Sequence, residues 1–256
     1  MNNKTFRKSI VNAQIFVTFM VLFAIVVSSF MLLRSHGKII HIPELYIPIL
    51  IEEITCLVVA LQLRQISTRT TDSETQILFV LLLCLNLDGI IILPELQRLM
   101  GVTLLPTTVI GKVHLFSLIY SFFLFILIGF FQDEVNTKKS NQYMFFAFTF
   151  CLIIVKILPL PSITSSNIWI PFIPLQSFHI LLLALLVIAI LSFNPFLLFS
   201  HTKHGRTKIV SYFLLMFSVS LMRFELVNKF FGNTLAAILL VAGSILLIKN
   251  FRSYRI

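Results

Sequence analysis

Eight stretches of this chain, residues 14–33, 43–63, 77–96, 108–131, 142–158, 177–199, 209–223 and 234–249, are apolar almost throughout and leave only short connections between them. A helix that crosses the hydrocarbon core of a bilayer needs about 20 such residues, because the core is about 30 Å thick and each residue rises 1.5 Å. In lipid every backbone N–H and C=O must find its partner inside the segment, which for isolated apolar runs of this length selects the α-helix. With 58% hydrophobic residues, 12% charged residues and a mean hydropathy of +0.98, the chain carries far more apolar surface than a water-soluble core needs. The expected fold is all-α, a polytopic integral membrane bundle of about eight helices in a single domain with no soluble module, or seven should one of the shorter segments fail to span.

The net charge of +10 would point to nucleic acid in a soluble chain. Its distribution here points to a membrane. With the N-terminus in the cytoplasm, alternate loops place thirteen of the 20 Lys and Arg residues on the inner side, among them Lys4, Arg7, Lys8, Lys138 and Lys139. Five, Arg34, Lys38, Arg98, Arg223 and Lys229, fall on the outer side, and Lys112 and Lys156 lie within segments. That bias orients both termini inward, and the compact loops suggest a bacterial inner membrane. A basic inner face attracts anionic head groups at about 1 kcal/mol per well-placed base, so anionic inner-leaflet lipids account for the charge and no nucleic-acid partner is expected.

The first apolar run follows KTFRKS, is too long for a signal-peptide core and lacks a small-residue cleavage site, so an uncleaved anchor is expected. Cys56, Cys84 and Cys151 fall inside segments without C-x-x-C spacing and are expected to be buried apolar residues rather than disulfide or zinc partners. The one long connection, residues 158–176, holds four prolines and an apolar stretch around Trp169, the single tryptophan. It is expected to lie on the outer surface with Trp169 as an interfacial anchor. Eight of the nine prolines fall in the outer half or outer loops, and Pro195 is expected to kink the sixth helix. ELQRLMGVT at 95–103 and ELVNKFFGNT at 225–234 match with one gap, which suggests a duplicated four-helix unit. Ordinary helix-ending chemistry, a base in the last turn followed by Gly, is the simpler account.

Ionisable groups within the segments are the informative ones, since a charge at the bilayer centre costs from about 2.5 to over 10 kcal/mol and is therefore turned inward and paired. Glu52 and Glu53 stand mid-segment in LYIPILIEEITCLVVAL, Asp88 beyond the midpoint of the third segment and Glu95 near its outer end. Lys112 and His114 fall in the outer third of the fourth segment and His179 at the start of the sixth. Adjacent helical residues diverge by about 100°, so Glu52 and Glu53 do not aim at one partner. Glu52 shares a stripe with Thr55 and Cys56 and is expected to be the inward carboxylate. Glu53 is then either neutral, since desolvation disfavours the charged form, or paired elsewhere. Asp88 and Glu95, seven apart, are expected on one face. His114, with Ser117 and Ser121 on its own face, is expected to enter the interior while Lys112 snorkels to the head groups.

These residues suggest a polar cluster of Glu52, Asp88 and His114, open to the outer side. The sequence has no H-E-x-x-H pair for zinc proteolysis and no Gly-x-Ser-x-Gly turn for a serine nucleophile, and Asp88 stands alone rather than in a paired aspartate-rich motif. No catalytic residue set, cofactor or metal is assigned. The expected function is a non-enzymatic sensor or binding module, or a membrane subunit of a larger complex. Only seven residues follow the last expected span, so any output would pass through a membrane or cytoplasmic protein partner. The alternatives are a small transporter or permease subunit using Glu52, Asp88 and His114 for a proton or solute, and a lipid-active enzyme at the outer leaflet with His114 as acid or base.

Overall fold

The computed structural model describes residues 3–36, 43–66, 73–131, 137–158, 176–193, 203–224 and 229–253, and no strand occurs among them. The helices are α1 (Asn3–His36), α2 (Pro43–Ile66), α3 (Ser73–Asp88), α4 (Leu93–Met100), α5 (Thr107–Phe131), α6 (Thr137–Ile157), α7 (Gln176–Ser192), α8 (Lys203–Phe224) and α9 (Lys229–Ser253). A single 3₁₀ turn, Gly89–Ile92, joins α3 to α4 in one interrupted rod. Each of the eight apolar stretches falls on one of these helices or on the α3–α4 rod, the end of the sixth stretch, 194–199, lying outside the described residues.

Among the described residues, six helical stretches are long and apolar enough to cross a membrane: Lys8–Met31, Tyr46–Ile66, Ser73–Met100, Thr107–Phe131, Lys139–Ile157 and Gly232–Arg252. The sixth and seventh expected spans are not among them. The apolar part of α7 is Ile180–Ser192, and α8 carries Lys203, Arg206 and Lys208 in its first two turns. The outer surfaces match a lipid environment. Along α1, Phe16, Phe19, Phe23, Val26 and Phe30 form a stripe at alternating three- and four-residue spacing, each more than half exposed. Phe145 and Phe146 of α6 are exposed to 72% and 71%, a degree of aromatic exposure that water penalises and acyl chains do not.

The centre of the bundle is the α3–α5 pair. α3 is buried on nearly every side, and Phe79, Phe122 and Phe125 are fully enclosed between these helices and their neighbours. α1 and α2 pack on one flank of α3, α6 and α7 on α5, and the tight α8–α9 hairpin closes the bundle by laying α9 on α2. Two close approaches set this packing. Gly129 lets α5 meet Ser192 at the end of α7, and Gly243 lets α9 meet Leu214 and the Ser211 carbonyl of α8.

Gly101 ends α4 in a left-handed conformation at φ 65°, its N–H reaching the Arg98 carbonyl and the Val102 N–H reaching that of Gln97. This is the helix-ending chemistry expected of QRLMG. Gly232, its counterpart in the apparent repeat, lies inside α9 and ends nothing, so the duplicated unit does not extend to backbone structure.

Candidate functional site

The apolar core divides into two clusters. The larger is built from α3, α5 and their neighbours and includes Val11, Cys56, Leu85 and Leu115. The smaller, Val21, Ala24, Ile25, Tyr46, Ile49, Ile92 and Leu96, lies toward the helix ends at residues 36, 43 and 100. Between them, about midway along the helices, runs a layer of polar side chains.

Asp88, at the last position of α3, meets His114 Nδ1 of α5 through Oδ1, a contact that is an ion pair when the imidazole is protonated. Glu52 of α2 is the acid whose charge reaches the same imidazole. α3 and α5 therefore bring one titratable group each into contact, and the Glu52 carboxylate of α2 lies within electrostatic range of that contact. One turn along α5 from His114, the Ser117 hydroxyl donates to the Cys84 carbonyl of α3, and Ser121 donates to its own helix at the Leu118 carbonyl, 2.7 Å. The residues are closed off: Glu52 is 2% exposed, Glu53 0%, Asp88 3% and His114 1%. Two lateral grooves of about 550 and 590 Å³, one between α2 and α9 and one among α3, α5 and α6, do not include them. Among the described residues, the smaller apolar cluster borders this polar layer on the side of the helix ends at residues 36, 43 and 100.

Both adjacent glutamates are inside. Helical divergence separates them, but α2 is enclosed widely enough that Glu53 enters a second contact, against α1 and the 3₁₀ turn. A methyl group placed on Gly89 would collide with Glu53 Oε1 and touch Val21 at 3.0 Å. Gly89→Ala is thus expected to cost about 1 kcal/mol, at the low end of overpacking because a side-chain end can yield. Glu53→Ala in the same chain should remove that cost; thermal unfolding in detergent would show it, and equal losses with and without Glu53 would refute the contact.

Pro94 explains the turn. It has no N–H to offer the Ile90 carbonyl, and Leu93 N–H occupies that carbonyl instead, which is the 3₁₀ pattern. Four residues at about 120° rather than 100° shift the helical phase by roughly 80°. The common face expected of Asp88 and Glu95 from seven-residue spacing assumes an unbroken helix, and the 3₁₀ turn stands between them. Glu95 lies on α4 and His179 in the first turn of α7, both with side chains outside the described ones, and Trp169 lies outside the described residues altogether. Lys112 is exposed, on a different face from His114. All three cysteines are buried and unbridged. Among the described residues, no three His, Cys, Asp or Glu side chains are grouped closely enough to hold a metal ion.

No family model matches the chain, and neither the curated proteins nor the solved structures contain a match. The site therefore has to be interpreted from its own chemistry.

Sequence reasoning missed two sets of residues. The first is Gln14, Thr18 and Asn86, all fully or almost fully buried. Gln14 and Thr18, four apart in an otherwise apolar run, were a visible signal of a polar helix face. The second is a buried ion pair far from the first. Lys208 Nζ of α8 lies 2.5 Å from Glu74 Oε2 of α3, and the Tyr212 hydroxyl donates to Glu74 Oε1 at 2.6 Å. Glu74 and Lys208 precede the third and seventh apolar stretches, where alternation of the loops puts them with the inner-side charges. They are 4% and 8% exposed, because α3 begins at Ser73 and α8 at Lys203, each a turn or more before its apolar run. A contact spanning 134 residues leaves no local trace in the sequence.

Proposed function

We propose that the protein is an eight-span, multi-pass membrane protein of the bacterial inner membrane with both termini cytoplasmic. In this reading it acts without catalysis of its own, as a binding or sensing module or as the membrane subunit of a larger complex. The charge bias of the loops supports the orientation. The observation that carries the function is the Asp88–His114 contact, joined electrostatically by Glu52, sealed where α2, α3 and α5 meet. An ionisable trio at such depth is costly to keep and ties the relative positions of three helices to its protonation. A change of charge there would repack the α3–α5 centre, on which most other helices rest. An imidazole 1% exposed offers a substrate no approach, which favours binding or switching over the lipid-active enzyme.

Transport is the second reading, and two features favour it. The Glu74–Lys208–Tyr212 contact supplies buried charge at the end of α3 opposite Asp88, in the half of the bundle that otherwise looks apolar. α3 also breaks into a 3₁₀ turn directly after Asp88, and interrupted helices are a recurrent element of transporter binding sites.

Glu52→Gln, Asp88→Asn and His114→Gln test these readings. Each single variant is expected to accumulate in membranes at roughly wild-type level but to lose copurification of the native partner. Wild-type levels with loss of pH-gradient-driven uptake in proteoliposomes would establish transport instead. If each variant disappears while the apolar double replacement Asp88→Leu with His114→Leu restores the protein, the trio is only a structural brace and the proposal fails.

A further inference from the structure

Glu53 has no hydrogen bond to either carboxylate oxygen among the described residues, although it is completely buried. It is not alone. Gln14 Oε1 and Asn86 Oδ1, also on fully buried side chains, are unpartnered as well. The orientations of both amides follow from their other contacts. Gln14 Nε2 donates to the Cys56 carbonyl at 3.3 Å, one helical turn from Glu53, and a carbonyl accepts only from the NH₂ side, so the Gln14 oxygen faces away from it. Asn86 Nδ2 donates to Thr18 Oγ1 at 2.6 Å. Thr18 is also the polar side chain nearest in reach of Glu53, and with its proton turned toward that carboxylate without closing a hydrogen bond, its oxygen is left to accept from Asn86. The amide oxygen of Asn86 is then the atom without a partner.

Glu53 and Asn86 thus both lie within reach of Thr18, beside Gly89 at the end of α3, and Gln14 stands one helical turn from Thr18 on α1, so α1, α2 and α3 turn a carboxylate, a hydroxyl and two amide carbonyls into one region of the bundle. Buried oxygen acceptors left unmatched in one place usually mark an ion or water. Hard cations prefer oxygen ligands of this kind, and the C-terminal end of a broken helix adds the negative end of its dipole. The neighbouring charges are otherwise engaged, Asp88 with His114 and Glu52 toward the same ring, with Glu52 also felt at Glu53. One carboxylate with neutral oxygens matches a single positive charge, not a divalent one.

We propose that Glu53, Thr18, Asn86 and Gln14 bind a small monovalent cation, sodium, in the middle of the bundle. The ion satisfies the stranded oxygens, neutralises Glu53 and bridges α1 to the α2–α3 pair. Glu53 leaves α2 about 100° away from Glu52, and the cation site does not rest on the role proposed for the Asp88–His114 pair.

The test uses the full chain in detergent, titrated with sodium chloride against choline chloride at constant ionic strength. Sodium should raise the unfolding temperature saturably, by about 5 °C at a hundredfold excess over half-saturation, and choline should not. Radioactive sodium should bind at one ion per chain. Glu53→Gln should abolish both effects. Thr18→Val, which keeps the shape and removes one ligand, should raise the half-saturating sodium concentration at least tenfold and preserves the test should the Glu53 variant fail to fold. Equal stabilisation by choline, a calcium preference, or sodium dependence undiminished in both variants would overturn the proposal. So would a sodium-insensitive protein whose stability follows pH through Glu53, since the site would then hold a proton.

Discussion

Replacement of Lys208 by Met is expected to destabilise the protein by about 3–5 kcal/mol, the largest effect of any single substitution considered. The methionine fills much of the same volume, so the loss comes from Glu74, whose carboxylate keeps the Tyr212 hydroxyl at 2.6 Å but loses the ammonium 2.5 Å from its other oxygen. At 5% side-chain exposure water cannot replace that ammonium. Lys208 also stands 5.8 Å above the Phe251 ring of α9, so part of the loss falls on the α8–α9 hairpin. The double replacement Glu74→Leu with Lys208→Met should return most of the stability, because removing both buried charges together also removes their desolvation cost. Unfolding of the three variants in detergent micelles, compared as a double-mutant cycle, measures the coupling. A Lys208→Met protein within about 0.5 kcal/mol of wild type would show the pair to be wet and worth no more than an exposed salt bridge.

Gly129→Val should cost about 3 kcal/mol, near the upper end of overpacking, and the reason it exceeds the Gly89 case lies in what the new side chain meets. At Gly129 the added Cβ falls 2.8 Å from Ser192 Cβ and 3.0 Å from its backbone carbonyl carbon, and backbone does not swing aside as a carboxylate can. α7 would have to move off α5, disturbing Leu185, Leu186 and Ala189, which belong to the main core. Valine gains only about 0.3 kcal/mol of helix propensity over glycine, too little to offset the clash. Ser192→Gly in the same protein should rescue only part of the loss, since the carbonyl carbon remains. Full rescue, or no loss in the single variant, would mean that the two helices are not held at this distance.

The sequence made the site half-visible. Glu52, Glu53, Asp88 and His114 were conspicuous because each stands in an apolar run, where lipid tolerates charge only if it turns inward, and the structure does bring Asp88 to His114. Ser117 and Ser121 followed from helical spacing alone. The break that Pro94 puts into the helix between Asp88 and Glu95 did not follow from spacing. Glu74 and Lys208 were hidden for the opposite reason: charges at the mouths of helices look solvated until the neighbours that cover them are known.

What the amino-acid order determined unaided was the all-helical architecture, the position of each apolar helix and the few residues too polar to face acyl chains. Those depend on local chemistry, the period of the helix and the cost of placing a charge in hydrocarbon. Only the tertiary structure decided that both glutamates are enclosed, that Gln14 reaches the Cys56 carbonyl and Asn86 reaches Thr18, and that Lys208 finds Glu74. Each of these depends on which helices become neighbours. That choice is made by side chains distant in sequence, through close approaches such as Gly129 on Ser192 that no single segment encodes.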